Sequence, residues 1–296
     1  NGESYYLISE EKRREMVKRS VAAITDIYQN SILKDSSRNS FMIKRMEDLA
    51  DRTVWAMGEQ LKCGDFVPFV FEHKFNMEVG DGDRKQLMSG TIDRVDICEN
   101  GTDVYVRIID YKTGKKDFNI VKTYYGIDIQ LMVYMEAAMK LVAKMRPGKN
   151  VIPAGVFYYN ISDPIVSATT ESAEEIEDKI KGELRLKGMV NSDKDIAEKM
   201  DNTGGTSLNI PVSRKADGGF DSRRSKVMNT EQFNMLGRFV DVRAVDTADR
   251  IAGGDIRRSP YKDGQFSSCD RCPYGAVCGF SVDLPGCNYR KLKKFD

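Results

Sequence analysis

The chain has no apolar run approaching the roughly 20 residues that a membrane-spanning helix needs, and no secretory leader is apparent at its start. Membrane and secreted readings therefore fall away. Charge of one sign is not in excess either: 46 Lys and Arg stand against 45 Asp and Glu, a net charge of +1. That balance hides local patterning and says nothing about nucleic acid, for which a basic stripe is enough. A Walker-type nucleotide loop is missing, so ATP hydrolysis has no place in this chain. Internal repeats and low-complexity tracts are missing too. Cysteine is scarce until the end, where four of the six fall after residue 268. Such clustering favours metal ligation in a reducing compartment over a disulfide framework.

At 296 residues and 41% apolar content, the chain can bury a sizeable core. Met16, Val17, Val21, Ile24 and Ile27 recur at helical spacing and predict a helix from about 10 to 30; a second spans about 40 to 61. Strands are expected near 67–77, 87–98 and 103–112, then a helix from about 126 to 145. Pro153 to Ile161 reads as a further strand, bounded by Pro147-Gly148 and Asp163-Pro164. Glu171 to Lys187 predicts a charged helix, Asp201 to Lys226 a long surface loop, and Asn229 to Ala252 an amphipathic helix ended by Gly253-Gly254. Mixed rather than alternating elements predict an α/β fold, a mixed central sheet flanked by helices with an N-terminal helical lobe. The single domain, 1–296, divides into a helical lead-in (1–62), a catalytic core (63–165), helices with a surface loop (166–260) and a cysteine-rich tail (261–296).

The densest chemistry lies in Gly90-Thr91-Ile92-Asp93-Arg94-Val95-Asp96 and Ile108-Ile109-Asp110-Tyr111-Lys112-Thr113-Gly114. Period-two alternation points Val106, Ile108, Asp110 and Lys112 the same way. Asn100-Gly101 is a strong two-residue hairpin signal, and a turn centred there sets Asp93 opposite Ile108 and diagonal to Asp110. The two carboxylates can then share a hard divalent cation, Mg²⁺ or Mn²⁺, which activates water and stabilises charge on a phosphate. Lys112 would hold or polarise that water. Asp96 alternates away from Asp93 and is expected to be a salt-bridge partner on the other face. On its own, a strand Asp and Lys two apart is usually a solvated surface pair. The run from Asp221 to Lys226 likewise reads as a solvated face.

At these residues the chain resembles the PD-(D/E)xK nuclease superfamily and, within it, the RecB-like branch. That branch's Gly, Gln and Tyr helix is similar to Tyr125-Gly126-Ile127-Asp128-Ile129-Gln130-Leu131-Met132-Val133-Tyr134. The resemblance makes Gln130 and Tyr134, which share a helix side, positioning groups for the lysine or the phosphate. It makes Glu72 a third metal ligand beside Asp93 and Asp110. Cys269-Asp270-Arg271-Cys272 with Cys278 resembles the iron–sulfur staple of AddB-type subunits of bacterial helicase-nucleases, a likeness running from roughly residue 60 to the end. This implies a restriction-endonuclease-like fold, with Cys269, Cys272 and Cys278 as ligands of a 4Fe–4S cluster. Zinc on Cys269, Cys272, Cys278 and Cys287 is the rival ligand set.

The resemblance further implies a cytoplasmic, nucleoid-associated, Mg²⁺-dependent DNA exonuclease that processes double-strand-break ends for recombinational repair. Its substrates would be single-stranded DNA and end-processed double-stranded DNA, and its partner an AddA helicase-nuclease subunit supplying ATP-driven unwinding. The family also places a cysteine and a histidine upstream of the core. Here His73 adjoins Glu72 in a strand and Cys63 precedes Gly64 in a turn, neither in the expected place. The expectation is a fragment of a larger subunit, with an incomplete cluster and a weakened centre. The rival from another class is a non-catalytic DNA-end-binding or scaffold module that keeps the fold.

Overall fold

The computed structural model describes residues 8–27, 36–79, 85–167 and 170–292. Helix α1 (Glu10–Ile27) buries Val17, Val21 and Thr25, a stripe at four-residue spacing, along α2 (Ser37–Lys62). Arg13 clamps the pair by donating to both oxygens of Asp51 at 2.7 and 3.1 Å. Met16, Ile24 and Ile27 flank this narrow stripe and stay exposed. The expected end of the first helix at residue 30 lies outside the described residues. Ser36 caps α2, its hydroxyl accepting the Asn39 N–H.

Strands β1 (Val67–Val79), β2 (Gln86–Asn100) and β3 (Asp103–Lys112) form an antiparallel meander. After α3 (Ile120–Tyr124) and α4 (Gln130–Met145) the chain crosses over to β4 (Asn150–Asn160), which runs parallel to β3. Helix α5 (Ala173–Glu183) leads to β5 (Lys187–Asn191), antiparallel to β4; α6 (Lys194–Met200) precedes the short β6 (Val227–Met228), parallel to β5. The resulting mixed sheet has the order β1-β2-β3-β4-β5-β6. Helix α4 and α7 (Thr230–Ala252) cover one face through Leu131, Met135, Phe233 and Val240, packed on Val95, Val106, Ile108 and Val156. On the other face, Ala56 of α2 and Ile196 and Met200 of α6 pack on Tyr105, Ile109, Phe157 and Tyr159. The expected α/β architecture, a mixed sheet between helical layers, is the one observed.

Three expectations change. The hairpin turn is Gly101-Thr102, with Asn100 paired to Asp103 and Arg94 to Ile109. A positive φ of 60° falls on Gly101, the first loop residue, as Gly-first hairpin loops require. The register therefore slides by two residues, which preserves faces but sets Asp93 one step beyond the Arg94–Ile109 pair, level with Asp110. The helix expected from 126 begins at Gln130, because Gly126 takes a left-handed φ of 72° in the turn that closes α3. Asp201 to Lys226 is not a surface loop throughout. Asp201, Ser207, Asn209, Ile210 and Val212 are buried, and the Asp201 carboxylate accepts from Ser207 Oγ at 2.6 Å and Asn209 Nδ2 at 3.0 Å.

The tail forms a small sheet of order β8-β7-β9 from β7 (Tyr261–Asp263), β8 (Phe266–Ser267) and β9 (Arg290–Lys291), with the short α8 (Gly275–Cys278) between β8 and β9.

Candidate active site

Strand β3 carries Asp110 on the face under α4, in register with Tyr158 of the parallel β4. Asp110 is 2% exposed, and its Oδ2 lies 2.5 Å from Lys112 Nζ. That ion-pair contact lacks hydrogen-bond geometry, so Oδ2 is a buried acceptor with no well-directed donor among the described residues. Asp93, level with Asp110 on β2, is tied down differently: one of its oxygens accepts the Tyr111 backbone N–H at 2.7 Å. Burial pushes the Asp110 carboxyl above the usual carboxylate range and Asp93 adds to this, against the pull of Lys112 and Lys116. A carboxyl so placed is held as the anion by cations beside it, of which Lys112 is one.

Gln130 and Tyr134 start α4 and do share a side: Gln130 Nε2 donates to Tyr134 Oη at 2.9 Å. The Tyr134 ring meets Phe75 of β1 edge-on at 5.8 Å. This contact depends on Gly90, where a Cβ would sit 2.8 Å from the Phe75 ring and 3.3 Å from that of Tyr134. Glu72 is exposed, with a φ of 48°, the one positive φ outside glycine among the described residues. It lies between the Phe71–Arg94 and His73–Ile92 pairs, alongside Asp93. Alternation on β2 breaks at the same level, since Ile92 and Val95 both join the core under α4.

Three residues outside the sequence reading complete the surroundings. Tyr158 donates its hydroxyl to Asp128 Oδ1 at 2.9 Å, and Lys116 Nζ lies 3.1 Å from the same oxygen. Burial and the neighbouring Asp128 both push the Tyr158 phenol up, so it stays a neutral donor. The Lys116 and Lys112 ammoniums lie 4.7 and 5.7 Å from the centroid of the Tyr158 ring. Asp128 and Lys116 are ordinary loop charges in the sequence; only the β3–β4 register, set across a long crossover, brings Tyr158 and then these two to Asp110.

Among the described residues, no group of three or more His, Cys, Asp and Glu is gathered to hold a metal ion, so Glu72 does not close on Asp93 and Asp110. Two carboxylates are nevertheless what Mg²⁺ asks for, because it keeps several waters and completes its shell with phosphate oxygens. The buried Asp110 carboxylate, with Asp93 level with it, fits that donor set. The thiols differ. Cys269, Cys272, Cys278 and Cys287 are all free and no three converge, so as placed they do not fit a cluster or a zinc ion. Cys63 caps α2, its thiol donating to the Glu59 carbonyl, and Cys98 is buried on β2.

A family model, the PD-(D/E)XK nuclease superfamily, matches residues 3–279. The chain is 33% identical over 300 residues to an ATP-dependent helicase/deoxyribonuclease subunit of Lachnoclostridium phytofermentans, covering 98% of this chain and 25% of that protein. It is 36% identical over 272 residues to the protein of the same name from Clostridium botulinum, covering 88% and 24%. For that from a Thermoanaerobacter species the figures are 35% over 274 residues, covering 89% and 24%. The chain thus spans about a quarter of the length of the curated relatives it matches.

Proposed function

The chain belongs to the PD-(D/E)XK nuclease superfamily, and from that membership we propose that it is the Mg²⁺-dependent DNA exonuclease domain of a helicase-nuclease. The observation that carries the reading is the buried Asp110 carboxylate paired with Lys112 and level with Asp93. In the longer protein, the substrate is single-stranded DNA and end-processed double-stranded DNA, delivered by an AddA-type helicase partner. The role is the processing of double-strand-break ends for recombinational repair. The names of the curated relatives, helicase/deoxyribonuclease subunits, support that assignment. In the intact subunit, Cys269, Cys272 and Cys278 are the proposed ligands of a 4Fe–4S cluster.

Asp93 and Asp110 would hold the cation, which when bound supplies an activated water and stabilises charge on the phosphate. Lys112, fixed by its ion pair to Asp110, donates to the water or to a phosphate oxygen and so orients the attack in line with the leaving group. Tyr134 is braced by Gln130 and Phe75 at the rim, where its hydroxyl can meet the strand. The test is Mg²⁺-dependent degradation of end-labelled single-stranded DNA by the chain, beside Asp110→Ala and Lys112→Ala. Each variant is expected to lose about 10²-fold or more in rate. DNA binding without cleavage, indifferent to Asp110→Ala, would instead mark a scaffold that kept the fold.

A further inference from the structure

Lys116 is set in place from two directions. Its backbone is pinned by the Asn160 side chain, whose Oδ1 accepts the Lys116 N–H and whose Nδ2 donates to the Lys116 carbonyl, both at 3.0 Å. Asn160 ends β4, and the Ile161 N–H donates to the Lys112 carbonyl at 2.8 Å, so the loop after β3 is stitched to the strand beside it. The Lys116 side chain is held in turn by Asp128, 11% exposed, which also takes the Tyr158 hydroxyl, and by the Tyr158 ring beneath. An ammonium has three protons, more than one ion pair to Asp128 can take, and the Lys116 side chain is 36% exposed. Tyr158 is in register with Asp110, and the charge of Lys116 is felt at Asp110. The ammonium therefore stands beside the reacting centre, near the same Tyr158 ring as Lys112.

We propose that Lys116 is a second phosphate-binding lysine of the active centre, prepositioned by Asn160, Asp128 and Tyr158 to take a backbone phosphate of the strand. This deepens the nuclease reading and rests on it. A lysine meant only to neutralise Asp128 needs neither the reciprocal amide clamp nor an open side. Holding the side chain beforehand also removes part of the ordering cost that a free lysine meets on binding.

The test follows binding of a fluorescein-labelled single-stranded oligonucleotide to the 296-residue chain across a salt series, with Ca²⁺ replacing Mg²⁺ so that binding is read apart from cleavage. Each phosphate contact to a single strand contributes about 0.7 to the slope of log affinity against log salt. Lys116→Ala is expected to lower the slope by about 0.7 and to weaken binding about fivefold at 0.1 M salt. Lys116→Arg should keep the slope. Lys179→Ala, which removes an exposed α5 lysine paired with Glu171, should leave it unchanged. An unchanged slope in Lys116→Ala, or an equal loss in Lys179→Ala, overturns the proposal. A chain that shows these slopes but cleaves nothing in Mg²⁺ overturns the nuclease reading and leaves the phosphate contact standing; a chain that binds no DNA overturns both.

Discussion

Asp96 sits where water does not reach. Arg94 donates to its two oxygens at 2.6 and 2.8 Å and Arg107 donates at 2.9 Å, with all three side chains no more than 1% exposed. Burial alone would raise this carboxyl; the two guanidiniums more than reverse that and hold it below the usual range. Removing Asp96 strands two buried cations, so Asp96→Asn is expected to cost about 3–5 kcal/mol in urea unfolding at pH 7. The pH dependence has a definite sign. A carboxyl depressed on folding stabilises above its unfolded value, about 3.9, and that contribution is lost as pH falls through the folded value. The gap between wild type and Asp96→Asn should therefore narrow steadily below about pH 4; a gap constant down to pH 2 would contradict the assignment. Alternation alone placed Asp96 on the face away from Asp93, and the same alternation made Asp93, Asp110 and Lys112 readable as one group. Tyr158, Asp128 and Lys116 were not readable, because their meeting depends on a parallel pairing across a crossover rather than on local spacing.

Among the elements, those with a strong period were plain in the sequence: α2, α7, and the strands from β1 to β4. Registers and short pieces were not. Asn100-Gly101 satisfies two hairpin geometries that differ by a two-residue slide, and neither changes which side chains are buried. The stretch from Asp201 to Lys226 was misread because polar residues there satisfy one another inside the protein, with Arg214 Nη2 also donating to the Ala197 and Asp201 carbonyls. Strand β5 was hidden by the charged helix expected through Lys187 and by an interior glycine. That glycine is required. Gly188 pairs with Phe157, and a Cβ there would lie 2.0 Å from the Val156 carbonyl oxygen, backbone that cannot swing aside. Gly188→Ala should split β5 from β4 and lower the stability by about 1–3 kcal/mol, read as a shift of the urea midpoint. An unshifted midpoint would mean that the two strands are held more loosely than their pairing implies.

Across the whole molecule, the two layers of core on either face of the sheet close before the tail begins. No described residue after Ala248 belongs to a core cluster. The tail is bound mainly to itself: Arg290 N–H donates to the Pro260 carbonyl at 2.8 Å, Arg258 reaches the Gly279 carbonyl at 3.1 Å, and Phe280 meets Tyr289 at 5.0 Å. Its ion pair to the body, Lys122 with Asp263 at 3.1 Å, joins side chains 40% and 45% exposed, which is worth about 0–1 kcal/mol at most. A unit joined this weakly opens on its own, well below the free energy of global unfolding. Ending the chain after Gly254 should therefore leave a single cooperative urea transition with nearly the same midpoint, and a slope reduced only by the small surface the tail buries. Mg²⁺-dependent cleavage, which draws on β2, β3, β4 and α4, should survive the truncation. A broadened transition, or a midpoint lowered as far as in Gly188→Ala, would show that the tail braces the sheet rather than riding on it.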